Sequence, residues 1–143
     1  GKTSTAVPYY AKIDIDVRYK DPDDLPEILE QVQAVGGKTY VDGTTTQVVF
    51  MEGIKPMKTT DAVKQLFELV KRTSEENGFG TPYAKYVGGA SDSAYTILAG
   101  VPTVCSMGVK GGRNHSPEEY AIVESLFERA KLLIACVINL DNE

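Results

Sequence analysis

Strands and helices alternate along this chain, yet there are too few strand-like runs to close any ordinary α/β sheet. That mismatch limits the fold more than any other feature. Residues 11–19 alternate in period two, with Ala11, Ile13, Ile15 and Val17 on one face and Lys12, Asp14, Asp16 and Arg18 on the other, the pattern of a half-buried strand. Asp21-Pro22-Asp23-Asp24 then gives a helix N-terminal signature, with proline in the first turn and acids near the positive dipole end. Leu25, Ile28, Leu29 and Val32 continue it at helical spacing until Gly36-Gly37. Thr39 to Val41 and Thr46 to Met51 read as strands around an Asp42-Gly43 turn. The first third is therefore strand–helix–strand, about half of a two-layer module.

Lys55-Pro56-Met57-Lys58 reads as a crossing point into a second part. There Thr60 starts a helix with Val63, Leu66, Phe67 and Val70 on one face, ending near Asn77-Gly78. Tyr83 to Val87 is a short strand, Gly88-Gly89-Ala90-Ser91-Asp92 a glycine turn capped by Asp92, and Ser93 to Leu98 a short helix stopped by Gly100. Val101 to Met107 reads as an apolar strand, and residues 109–114 as a glycine-rich loop. The last helix spans Ser116 to Asn139, with Val123, Leu126, Phe127, Leu133, Ile134, Val137 and Ile138 as a core-facing stripe. The pattern predicts an α/β protein with parallel pairing in its second part. So few strands point to the end of a longer chain, and Gly1 would suit a cloning remnant.

Composition narrows the chemistry. A formal charge of −5 across 143 residues argues against a nucleic-acid surface, which needs a basic stripe. No apolar run approaches the roughly 18 residues of a membrane span, and residues 1–5 lack the apolar stretch of a signal peptide. Cys105 and Cys136 lie in apolar surroundings and read as buried thiols of a reducing compartment, so the expected setting is cytoplasmic. The histidine count of one is the tightest chemical limit, since a catalytic zinc normally takes three protein ligands.

His115 lies between the glycine loop and the expected helix start, with Ser116 as N-cap, Pro117 at the first helical position and Glu119 closing a capping box. The positive end of the helix would favour neutral, ligand-competent imidazole there; an ordinary loop histidine bonded to backbone fits the same spacing. The amides of the Gly88 turn suit an anion or oxyanion, or simply make a tight strand–helix turn. Gly108 to Gly112 allows close approach to a ligand, or is only a flexible loop. Arg18 can hold a carboxylate through its planar fork, or pair with a neighbouring acid such as Asp14 or Asp16.

Their order is more specific than any one of them. Val7-Pro8 with Ile15-Asp16-Val17-Arg18, then Gly88-Gly89-Ala90-Ser91-Asp92 with Ala99-Gly100-Val101-Pro102-Thr103, then Gly108 and Gly111 ahead of His115-Ser116-Pro117-Glu118-Glu119-Tyr120, together resemble the C-terminal portion of a zinc-dependent family. That family contains glutamate carboxypeptidase, acetylornithine deacetylase and succinyl-diaminopimelate desuccinylase. The resemblance runs from about Thr3 to Asn139 and is nearest to the glutamate carboxypeptidase branch. It implies that residues 1–54 are the second half of a ferredoxin-like α+β lid, or dimerisation, domain. Residues 55–143 would then close an α/β catalytic domain.

By the same resemblance His115 is the last zinc ligand and Arg18 grips the substrate carboxylate. Gly88, Gly89, Ala90 and Ser91 line the substrate site, and Gly111 and Gly112 flank that cleft. Thr5 stands where several members have a carboxylate-binding asparagine, and Ala90 where the desuccinylase branch has threonine, which points away from that activity. The remaining ligands and the general base fall earlier in the family's chain, and their motifs are absent from this sequence. The implied whole enzyme holds two zinc ions, or other divalent metals, and hydrolyses a small peptide or N-acyl amino acid with a free carboxylate. It would be a homodimer through the lid, with no nucleic-acid or membrane partner, and this chain alone would be inactive. A free-standing dimerisation or interaction module is the alternative, since an exposed strand at 46–51 can pair edge to edge. A serine hydrolase built on Ser91 and His115 is the least favoured, because Gly-Gly-Ala-Ser-Asp lacks the nucleophile-elbow pattern.

Overall fold

The computed structural model describes residues 3–140. Four helices carry the fold: α1 (Leu25–Gly36), α2 (Asp61–Glu76), α3 (Ser93–Leu98) and α4 (Val123–Leu140). Between α3 and α4 two short strands, β1 (Gly111–Gly112) and β2 (Tyr120–Ala121), pair antiparallel, with Gly111 opposite Ala121 and Gly112 opposite Tyr120. Mixed helix and strand is as expected, and the helices fall where side-chain spacing put them, with one exception.

Local hydrogen bonds explain where these helices begin. Asp21 accepts the Asp23 N–H at 3.0 Å and caps a 3-10 turn over Pro22–Asp24 that leads into α1. Thr60 Oγ1 accepts the Val63 N–H at 3.2 Å, satisfying one of the unpaired donors at the start of α2. The turn at Asp42-Gly43 also forms, with Gly43 at φ 79° and the Thr44 N–H bonded to Val41 O at 3.1 Å.

The core lies where α2 crosses α4. Leu69 and Val70 of α2 meet Leu132 and Cys136 of α4, with Phe79, Val104 and Met107 packed around them. Polar ties reinforce the contact: Asn139 Nδ2 donates to Thr73 Oγ1 at 2.9 Å, and Ser74 Oγ donates to Gly80 O at 2.7 Å. Thr73 and Ser74 are both fully buried, so these bonds satisfy groups that water cannot reach.

Three expectations about where strands and α4 run and face are corrected. Segments 11–19, 39–41, 46–51, 83–87 and 101–107 are not assigned as strands; among the described residues β1 and β2 are the only ladder. A strand draws its hydrogen bonds from a neighbour, and these segments find none in register. Helix α4 begins at Val123 rather than Ser116, because Tyr120 and Ala121 are drawn into β2. Its apolar stripe does not face the core either. The buried residues of α4 are Ser125, Leu132 and Cys136, whereas Phe127 and Ile134 are 63% and 62% exposed. At 100° per residue those two sets lie on opposite sides of the helix, so α4 is apolar on both.

The segment before residue 54 is tied to the rest by charge. Lys58 Nζ bonds Asp23 and lies 3.5 Å from Asp21, and the carboxylate hydrogen bonds hold its ammonium above the ordinary lysine range. Lys20 Nζ sits 5.0 Å from the centre of the Tyr86 ring, a cation–π distance. The cysteines are free thiols, Cys136 buried and Cys105 half-buried rather than buried.

Candidate substrate and metal site

Arg18 reaches from the extended segment to the glycine turn. Its Nη1 donates to Gly88 O at 2.6 Å, bringing together residues 70 apart in sequence. The other edge of the guanidinium faces back along its own segment: Nε and Nη2 both donate to Asp16 Oδ2, at 2.9 and 2.8 Å. Asp16 and Arg18 are two residues apart, on one face of an extended chain, so the pairing follows from the period-two pattern. The pairing with a neighbouring acid is thus present, and Arg18 also meets the Gly88 turn.

Beyond Gly88 the turn is open: no atom lies within contact of a side chain built at Gly89, and Ala90 is exposed. Ser91, not Asp92, caps α3, accepting the Ser93 N–H at 3.2 Å; Asp92 makes no capping bond. The Ser91 hydroxyl also donates to Ser93 Oγ and shares a hydrogen bond with Cys105 Sγ, each at 3.1 Å. None of these partners is His115, so the hydroxyl is not arranged as a serine-hydrolase nucleophile. The Ser91 and Ser93 hydroxyls pull the Cys105 thiol below the ordinary range against the opposing effect of burial.

His115 stands on the strained turn between β1 and β2. Its φ is 66° and that of Arg113 is 59°, the left-handed region that non-glycine residues seldom occupy. Glu119 does not close a capping box on Ser116; its Oε2 accepts the His115 N–H at 3.2 Å, while Ser116 Oγ donates to Arg113 O at 2.7 Å. Gly111 is required by the partner strand, because a Cβ there would overlap the backbone Tyr120 O, whereas one on Gly112 would sit 2.9 Å from the Tyr120 hydroxyl oxygen and ask that side chain to shift. A cleft of about 650 Å³ opens beside this turn, lined by Gly108, Gly111, Asn114, Glu119 and Tyr120 among others. A second cavity of about 410 Å³ lies between α2 and residues 104–107; Arg129, whose buried Nε has no hydrogen-bond partner, is in its wall.

The candidate residues form two groups. Arg18 joins the Gly88–Ser91 turn, and Gly111–Gly112 support the turn of His115; among the described residues no hydrogen bond links the groups. Nor do any three histidine, cysteine, aspartate or glutamate groups come together there to hold a metal ion. The exposed imidazole has the donor chemistry of a single zinc ligand, and these residues do not complete a zinc site. Glu119 as the holder of His115 and Cys105 as a partner of the Ser91 turn lie outside the sequence expectations. Only Glu119 carries a local signal, its spacing from Ser116, and that spacing points to the Ser116 N–H rather than the His115 N–H it accepts.

Residues 8–139 match the family described as Peptidase family M20/M25/M40. Carboxypeptidase G2 from Pseudomonas sp. (strain RS-16) is 25% identical over 139 residues, covering 94% of this chain and 34% of the relative. The chain thus spans about a third of the length of this curated relative. No solved structure matches it. Among the described residues no helix is long and apolar enough to cross a membrane.

Proposed function

Because the chain belongs to peptidase family M20/M25/M40, we propose that it is part of a cytoplasmic zinc-dependent hydrolase that cleaves the amide bond of a small peptide or N-acyl amino acid bearing a free carboxylate. The observation that carries this reading is the meeting of Arg18 with the Gly88 turn across 70 residues, in a chain where a histidine stands alone on a strained turn. The name of the carboxypeptidase relative, an enzyme class that acts at a free C-terminus, supports the carboxylate requirement.

Zinc, two ions in the whole enzyme, supplies Lewis acidity for the attack of water on the amide carbonyl when bound. The rest of this chain's share is positioning. His115 holds one ligand position, its backbone fixed by Glu119. Arg18 binds the substrate carboxylate and contributes orientation rather than bond breaking. Backbone amides of Gly88 to Ser91 would line the anionic end, and Gly111 and Gly112, grouped with the His115 turn in this chain, would flank that cleft in the whole enzyme. Residues 1–54 form half of the lid and the homodimer contact, and residues 55–143 close the catalytic domain. The general base lies outside these residues, so the chain by itself is expected to be inactive.

The test uses the whole protein, with and without His115→Ala. Metal analysis should show zinc lost from the variant, and hydrolysis of N-acyl amino acids should fall by about 10³-fold or more, as for loss of a group essential to the reaction. A zinc content and rate unchanged by His115→Ala would refute the ligand assignment.

A further inference from the structure

We infer that Asp16 is the positioning residue for Arg18, presenting one edge of its guanidinium to a substrate carboxylate. The proposal rests on the reading of Arg18 as the carboxylate grip. A guanidinium has five N–H donors. Asp16 Oδ2 takes one from Nε and one from Nη2, and Gly88 O takes one from Nη1. Two remain, one on each Nη nitrogen. Gly88 lies on the Cδ side of Nη1, where a Cβ built on it would be 3.3 Å from Nη1 and 4.0 Å from Cδ, so the two remaining hydrogens are those of the end-on fork, the edge that a carboxylate meets with two parallel hydrogen bonds.

Without Asp16 nothing on its own segment would select that edge. Arg18 is a long side chain on an exposed stretch of backbone, and Gly88 O holds it at a single nitrogen, about which the plane can turn. Asp16 adds a second point of attachment on the opposite side. Its position two residues before Arg18 puts both side chains on one face of the extended segment, so the arrangement moves with Arg18 if that segment moves.

The expected signature is a change in KM without a matching change in kcat, seen only for substrates carrying a free carboxylate. In the whole protein, Asp16→Ala should raise KM for an N-acyl amino acid about five- to twentyfold and leave kcat within about twofold, in line with losing the orientation of a charge-assisted bidentate contact. The corresponding methyl ester, which offers no carboxylate, should show no such change. Asp16→Asn keeps an oxygen in the same place and should recover most of the affinity, and it keeps the test open if the alanine variant folds poorly. In an Arg18→Ala background Asp16→Ala should add nothing, because the two act as one unit. The inference is overturned if Arg18→Ala raises KM but neither Asp16 variant does, if the two effects add, or if ester and acid respond alike. Should Arg18→Ala itself leave KM unchanged for the acid, the carboxylate grip fails first, and this role for Asp16 fails with it.

Discussion

Cys105 and Cys136 meet opposite surroundings. Hydroxyls of Ser91 and Ser93 favour the thiolate of Cys105, whereas burial pushes the Cys136 thiol up. As pH rises, Cys105 therefore reaches its reactive form first. Iodoacetamide labelling followed by mass spectrometry should modify Cys105 well before Cys136, with a pH midpoint below that of an ordinary thiol, and Ser91→Ala should move that midpoint upward. The sequence placed both cysteines among apolar neighbours and could separate neither environment. The Ser91–Cys105 contact depends on a segment 14 residues away returning to the turn, which no local pattern encodes. Arg18 was more legible, because Asp16 lies two residues away on the same face of an extended run.

Helices were read from sequence with more success than strands, and the reason lies in where each finds its hydrogen bonds. Thr60 announces α2 from within four residues, and the bond it accepts from Val63 is the one its side chain suggests. Thr60→Ala should cost about 1 kcal/mol of stability, checked by chemical denaturation of the whole protein. Residues 46–51 have the composition of a strand but need a neighbour's backbone to become one, and the described residues supply none in register. The start of α4 differs from its sequence signal for a related reason. Ser116 and Pro117 carry a strong helix signal, but the pairing of Tyr120 with Gly112 overrides it and leaves the N-terminal turn to Ile122 and Ser125. In the candidate site the loop positions were legible, while the partners that fix them, Glu119 above all, were not.

At the scale of the whole molecule, the contact of α2 with α4 holds the core cluster of buried apolar side chains among the described residues. Leu132 is at its centre with no exposed surface, so Leu132→Ala should destabilise the protein by about 2–5 kcal/mol, measured as a lower midpoint of urea unfolding. The opposite face of α4 carries no such weight among the described residues, and with apolar side chains on both faces helical spacing alone does not tell which one the core takes. The bond from Arg18 to Gly88 O has a consequence in chain entropy. Closing a loop of 70 residues costs on the order of 4 kcal/mol or more, and one exposed hydrogen bond returns about 1 kcal/mol. The Lys58 pairing with Asp23, spanning 35 residues, takes up part of that closure but is itself exposed to water and salt. The arm that carries Arg18 is therefore held near the glycine turn by weak, reversible ties, and raising the ionic strength loosens it before any of the helices melt.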